Sequence, residues 1–372
     1  MDDVGVAGLA AATALGRGTE AQLAATLAGT AAFGPLTRFD VSRHRVRVAA
    51  TLPDAGSLAD ELAGAIAGAC AHGGLSAADR SDCPLMLAVH AFPDAPRVAG
   101  DGWPTAAELA RSLAGRVGLG RVARVYTSAC VSASTAVADA AALISTGQAE
   151  RVVVAAGYLV EPDQFALFDA GRALATDGAV RPFSIARSGM LLGDAVAAVL
   201  LESVATLRRR ARTELAQIVG WGRAGDAFHA VQPHPEGQGM ARAITAALRR
   251  AGVDPGALGY VNAHGTGTQF SDAAEAAALH RALGPVAERV PISSTKSTHG
   301  HTLEASGLIE LVVTVLAMRA GKLPVNAGFL ALDQPLRLNV VHSGPRSVTS
   351  EYALSVNAAF GGANTALLVR AR

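Results

Sequence analysis

The sequence predicts an α/β protein made of two similar halves. Three observations carry this. Short Val-rich apolar runs alternate with Ala-rich helical stretches, the alternation occurs twice, and a charged stretch, ESVATLRRRARTE (202–214), separates the two series. Strands buried on both faces of a layered sheet read as near-continuous apolar runs, and the crossovers between them read as helices. The boundary divides the chain into units 1–205 and 206–372. At 372 residues the chain exceeds the usual size of a single domain, which fits two lobes or one large layered domain.

In the first series the strand candidates are VGVAGLA (4–10), PLMLAVHA (84–91), ARVYTSA (123–129), RVVVAAGY (151–158) and AVAAVLLE (195–202). Between them AQLAATLAGT, LADELAGAIAGACAHGG and SASTAVADAAALISTG are Ala/Leu-periodic and end in glycine or a small polar residue, as helices do. The second series runs LAQIVGWGRA, the helix GMARAITAALRRAG, YVNAHGTG, VPISSTKS, the helix GLIELVVTVLAMRAG, EYALSVNAAF and TALLVRAR. The β-branched run 151–158 is too apolar for an exposed sheet edge, so a second subunit is expected to cover it.

Half of the residues are apolar, 17% are charged and 4% are aromatic, so a large core must be built from Ala, Val and Leu. A net charge of +1 gives no general attraction to nucleic acid or anionic membranes. Three scattered cysteines, Cys70, Cys83 and Cys130, make neither a disulfide framework nor a zinc knuckle, which points to a reducing cytoplasm. The start, MDDVGVAGLA, is acidic where a signal peptide is basic, and no apolar run reaches membrane-spanning length. Of 32 basic residues only Lys296 and Lys322 are lysines. A chain that avoids lysine yet sets one beside two histidines, in STKSTHGHTLEASG (294–307), draws attention to an ammonium there.

Four stretches carry candidate chemistry. In VYTSACVSASTAVADAAALIS a strand meets a tight turn and a helix starts at or just after Cys130. A thiolate there is stabilised by free N–H groups and the helix dipole, although a small core cysteine reads the same way. Cys70 and Cys83 lack that setting and are read as structural. In YVNAHGTGTQFSDAAEAAAL a strand ends at His264, Thr266 and Thr268 lie on a Gly-rich loop, and Asp272 is placed to cap the next helix. His299 and His301 flank Gly300, and a metal site would need further ligands. Phe360-Gly361-Gly362 requires a tight turn with free N–H groups. The densest basic cluster, RRRAR (208–212), reads either as a docking patch for an acidic partner or as a solvated helix end.

The order of these stretches resembles the β-ketoacyl synthases, condensing enzymes of the thiolase superfamily. The likeness extends through FDAGRALATDGAVRPFSIARSGMLLGDAVAAVLLE and the first forty residues, whereas 48–120 align poorly. It implies a thiolase-like αβαβα layered fold of two halves. It further implies that Cys130 takes an acyl group, and that His264 and His301 stabilise the enolate left when a malonyl thioester loses carbon dioxide. His299 falls on a variable position. Lys296 matches the motif's lysine, with Glu275 and Glu310 at its partner positions. Phe360 resembles the gate to the acyl pocket, and Thr266 and Thr268 match positions that bind a phosphopantetheine arm. No metal or cofactor is implied. The implied partners are an acyl carrier protein and a second subunit, either a homodimer or a heterodimer with a similar chain.

Ser184, Asp194 and Glu304 depart from the pattern, the last standing where glycine is common, and the region before Cys130 is short and lacks the usual Met-Asp-Arg stretch. These departures favour polyketide, polyene or specialised fatty-acid synthesis over housekeeping synthesis. The alternatives are a chain-length-type partner subunit, which typically lacks the cysteine, and an acyltransferase that does not decarboxylate. A cysteine peptidase would leave His301 unexplained.

Overall fold

The computed structural model describes residues 3–91 and 105–371. The first two residues of the acidic start and part of the 48–120 stretch lie outside the described residues. Each of the ten expected runs contains a strand. The first half holds β1 (Val4–Thr13), β2 (Pro84–Ala88), β3 (Arg121–Tyr126), β4 (Arg151–Tyr158) and β5 (Ala195–Ser203). The second holds β6 (Ala216–Gly225), β7 (Leu258–Asn262), β8 (Pro291–Ser293), β9 (Tyr352–Ala358) and β10 (Ala363–Arg370).

The two halves repeat one topology. Neighbouring strands run β1-β5-β4-β2-β3 in the first and β6-β10-β9-β7-β8 in the second. By rank within its half, each order is first, fifth, fourth, second, third. The senses repeat too: β2 is parallel to β3 and β4, as β7 is to β8 and β9. β5 is antiparallel to β1 and β4, as β10 is to β6 and β9. The halves join through two residue pairs of β1 and β6, Gly5–Gln217 and Val6–Ala216.

Two helices fill the space between the half-sheets. α2 (Ser132–Ser145) and α5 (Ser306–Ala320) pack on each other and touch strands of both halves. Their small or apolar side chains are buried almost all round, as a middle layer demands. On the outside, α1 (Leu58–His72) covers β1, β4 and β5, while α3 (Gln238–Ala251) covers β6 and β10 and packs on α4 (Gln269–Leu283). The layers are therefore α, β, α, β, α. Among the described residues no helix is long and apolar enough to cross a membrane.

Two expectations are corrected. The run 151–158 is not at an edge: β4 lies between β2 and β5, which is why both its faces are apolar. The strand at that end of the sheet is β3, whose Arg121 and Arg124 are the charged residues that blunt an edge. The basic cluster is used internally. Arg209 pairs with Glu150 at 2.7 Å, and Arg210 pairs with the buried Glu202 at 2.7 Å. Arg212 donates to the His72 carbonyl at 2.7 Å. These arginines tie the joint between the halves, so the cluster as a whole is not a free docking patch.

One close approach fixes the site. The His301 N–H donates to Leu191 O at 2.7 Å, and the Gly193 N–H donates to His301 O at 3.0 Å. A Cβ on Gly193 would lie 1.9 Å from His299 O. Gly193→Ala is therefore expected to destabilise the chain by roughly 1–3 kcal/mol or more, because the clash is with backbone. A denaturant titration that finds wild-type stability would show the approach to be looser than this.

Candidate active site

The strands stop short of the functional residues, which sit on turns beyond the carboxyl ends of β3, β7, β8 and β9. In an open α/β sheet this is where ligands bind. Past β3 the chain makes a 3₁₀ turn, Ala129–Val131, and enters α2. Ala129 takes a φ of 52°, a left-handed conformation that a Cβ disfavours, and so lifts Cys130 onto an elbow. Ser132 donates to Ala129 O at 2.7 Å and holds the turn closed.

Cys130 Sγ lies 3.1 Å from His301 Nε2, and His301 Nδ1 lies 2.9 Å from Ser306 Oγ. Ser306 is also 3.2 Å from Thr302 Oγ1. A serine hydroxyl can donate to Nδ1 or accept from it, so His301 can present either a lone pair or a hydrogen to the sulfur. His264 stands beside it, with ring centroids 5.5 Å apart and planes at 85°. Both rings, with Cys130, Thr266, Thr268, Phe168 and Phe360, line a cavity of about 400 Å³.

Electrostatics set the resting protonation. Burial, aided by the nearby Lys296 charge, holds His264 and His301 well below the ordinary imidazole value. Burial pushes the Cys130 thiol up to about 12, with Glu304 adding to the rise and Lys296 opposing it. The resting pair is a neutral thiol beside a neutral imidazole.

Lys296 is fully buried and pairs with Glu310, whose other oxygen accepts from Asn357 Nδ2 at 2.6 Å. Glu275 differs from its expected place as a lysine partner. Its two oxygens accept the N–H groups of His264 at 2.8 Å and Gly265 at 2.7 Å, so it orients the His264 turn through backbone. Asp272 is not the helix cap, because α4 begins three residues earlier; instead it accepts from Gly267 at 3.1 Å and Phe183 at 2.7 Å. Thr266 and Thr268 share a hydrogen bond of 3.0 Å at the cavity wall. Phe360 is 44% exposed and lies 5.7 Å from Phe168 between ring centroids. Its turn needs φ values of 82° at Gly361 and 79° at Gly362.

His299 points elsewhere. It is fully buried, 2.9 Å from Gly300 O through Nδ1 and 3.0 Å from Thr295 Oγ1 through Nε2, and burial lowers its pKa to about 3. Among the described residues no cluster of His, Cys, Asp and Glu is arranged to hold a metal ion. Cys70, on the buried face of α1, and Cys83 lie in the same core cluster, with thiols pushed up to about 11 and about 12 by burial. The residues that sequence patterns did not single out are Ser306, Asn357 and Phe168. Ser306 was legible only as a small residue five positions after His301.

Fold and site define a thiolase-fold protein with one cysteine and two histidines at the seam between its halves. The beta-ketoacyl synthase N-terminal domain family matches residues 48–206, and the corresponding C-terminal domain family matches residues 215–330. The chain belongs to the β-ketoacyl synthases. The match includes the 48–120 stretch expected to align poorly, and leaves the first 47 residues outside it. A 3-oxoacyl-[acyl-carrier-protein] synthase 2 from Staphylococcus aureus is 32% identical over 248 residues, 65% of this chain and 62% of that protein. The match thus spans about three-fifths of that relative's length. A β-ketoacyl synthase structure from Burkholderia phymatum has a TM-score of 0.89 at 28% identity, covering 100% of both chains. The ishigamide ketosynthase/chain length factor superposes with a TM-score of 0.92 at 24% identity, covering 100% of this chain and 99% of that one.

The neutral histidines make a pH prediction. Their folded pKa values are depressed, so below about pH 6.5 the unfolded chain binds more protons and stability falls. Asp272 and Glu275, raised by burial to about 7 and about 8, act in the opposite sense. Comparison with His299→Asn cancels those carboxylates. Between about pH 7 and 5 the wild type is expected to lose more stability than the variant in denaturant titrations; equal losses would mean that His299 is protonated in the fold.

Proposed function

We propose that the chain catalyses decarboxylative Claisen condensation of an acyl thioester with a malonyl thioester, both carried on the phosphopantetheine of an acyl carrier protein. The observation that carries this reading is the convergence of Cys130, His301 and His264 on one cavity, with His301 Nε2 3.1 Å from the sulfur. Cys130 passes its proton to His301 and attacks the incoming acyl thioester; the carrier thiolate leaves and recovers that proton. Malonyl thioester then loses carbon dioxide, and its electron pair moves onto the thioester oxygen as an enolate. Two neutral imidazoles stabilise that oxygen by donating hydrogen bonds within a buried site. The enolate carbon attacks the Cys130 acyl carbon, and collapse of the adduct expels the sulfur.

The lining of Thr266 and Thr268 suits the amide-bearing arm of the carrier, and Phe360 stands between that arm and the acyl group. The names of relatives that include acyl carrier protein support the partner. The departures at Asp194 and Glu304 support a specialised polyketide or fatty-acid product over a housekeeping one. The division at 205/206 is proposed on the repeated strand order.

Incubation with acyl- and malonyl-carrier protein, followed by mass analysis of the products, tests the reading directly. Cys130→Gln is expected to abolish condensation and retain malonyl decarboxylation. His301→Ala is expected to lower decarboxylation by about 10²–10³-fold, the scale of a lost oxyanion donor, and His299→Asn to lower it far less. Equal losses at both histidines would overturn the assignment.

A second subunit is proposed at β3 rather than at β4. β3 ends the sheet in the first half, with its outward N–H and C=O groups open to a two-fold copy. A homodimer is favoured over a heterodimer because cysteine and both histidines lie in this one chain. Native mass spectrometry is expected to find a dimer that Val122→Pro disrupts. An active wild-type monomer would defeat the proposal, and rescue of an inactive chain by a co-expressed relative would replace the homodimer with a heterodimer.

A further inference from the structure

The family pattern and the proposed reaction leave Glu304 unused. It sits on the turn Leu303–Ala305, which packs against the Cys130 turn and β4. The turn is held with Leu303 at a φ of 41°, so its placement is imposed by the surroundings. Glu304 is 5% exposed, and its Oε2 has no hydrogen-bond partner. Two further buried polar atoms lie near it: the hydroxyl of Tyr158, the last residue of β4 and 2% exposed, which meets the Glu161 backbone and no side-chain partner, and Nδ1 of His90, two residues beyond β2, which has no partner among the described residues.

Topology brings these three together with the nucleophile. β4, β2 and β3 are neighbours in that order and mutually parallel, so their carboxyl ends deliver Tyr158, His90 and the Cys130 turn to one side of the sheet. The Glu304 turn packs on both the Cys130 turn and β4, and the Glu304 charge raises the Cys130 thiol and the Tyr158 phenol. None of the three lines the cavity that holds His264 and Phe360. A buried carboxylate, phenol and imidazole that leave atoms unsatisfied at one place cost stability unless something bonds to them. An ionised carboxylate only accepts hydrogen bonds, while a phenol and an imidazole nitrogen can each accept or donate, so the one partner that suits all three is a donor.

We propose that Glu304, Tyr158 and His90 form a polar acyl subsite beside Cys130, which takes an acyl group carrying a hydrogen-bond donor, a hydroxyl or an amine, near its thioester carbonyl. The proposal rests on Cys130 being the acylated residue. An unsubstituted acyl chain entering the subsite would strip water from the three groups without replacing its bonds. A site of that kind discriminates strongly against the analogue lacking the donor.

The test measures acylation of Cys130 by intact-protein mass spectrometry, using pantetheine thioesters of 3-hydroxybutyrate, 3-aminobutyrate and butyrate. The wild type is expected to acylate with one of the substituted thioesters at least about ten-fold faster than with butyrate. Tyr158→Phe removes a hydroxyl with no side-chain partner, so it is expected to fold, which a denaturant titration checks. In Tyr158→Phe and Glu304→Gln the preference is expected to shrink to about three-fold or less. A preference for the amine lost mainly in Glu304→Gln assigns a cationic donor, whereas loss in both variants with the hydroxyl substrate assigns a neutral one. Acylation by all three thioesters at equal rates, or a preference that both variants keep, overturns the subsite and leaves the condensing reading standing. Failure of every thioester to label Cys130 takes both down.

Discussion

The buried pair of Lys296 and Glu310 is the constraint on which the site depends. Both side chains are fully buried. Glu310 also accepts from Asn357 on β9, and its own carbonyl accepts from Thr314 at 2.7 Å and from Asn262 at 3.1 Å. The pair therefore binds the turn after β8 to α5, β7 and β9. Removing one partner of such a pair leaves an unpaired buried charge, at about 3–5 kcal/mol. The turn so fixed carries His301, and the fixed ammonium opposes a second positive charge on either catalytic imidazole. Structural anchoring and the control of protonation come from one contact. That explains why a chain so sparing of lysine keeps one here.

Much of this was legible in the sequence because local chemistry is. Val-rich runs marked ten of the twelve strands of the main sheet, missing the two-residue strands Gly16–Arg17 and Asn339–Val340, and small residues around Cys130 marked the elbow. The ends were less legible. YVNAHGTG and VPISSTKS read as strands throughout, yet pairing stops at Asn262 and Ser293, because the residues beyond them serve the site. Spatial order was not legible. The run 151–158 is apolar on both faces whether a partner subunit or neighbouring strands cover it, and only the topology places β2 and β5 there. Glu275 and the arginines of 208–212 show a related limit. A carboxylate's or guanidinium's partner is set by three-dimensional proximity, and backbone N–H and C=O groups compete for it without leaving a mark in the sequence.

The repeat explains why the chemistry gathers where it does. His264 lies two residues beyond β7, the second strand of its half, and His90 lies two residues beyond β2, the second strand of the other. Cys130 follows β3 and the Lys296–His301 turn follows β8, the third strands. Phe360 follows β9, and Tyr158 ends β4, the fourth strands. Equivalent strand ends in the two halves thus face the seam. The repeated topology supplies paired positions around one sulfur, and the halves have filled them differently. The second half places two histidines and a gate-like aromatic there. The first places Cys130 there, and near it a phenol and an imidazole without side-chain partners among the described residues.

That division bears on specificity. A condensing site must hold two carbonyl groups in turn at nearly the same point, so its oxyanion donors are fixed by the reaction and vary little with the substrate's tail. In the proposed reaction, groups that line only the acyl subsite meet only the acyl chain already loaded, and they are free to differ. Glu304 is one turn from His301 and shares its rigid support, yet the reaction as derived gives it no task. A carboxylate placed so close to a nucleophile raises its pKa and costs burial energy, both unfavourable to catalysis on their own. On the proposed subsite, such a residue gains its advantage from what the loaded acyl group brings.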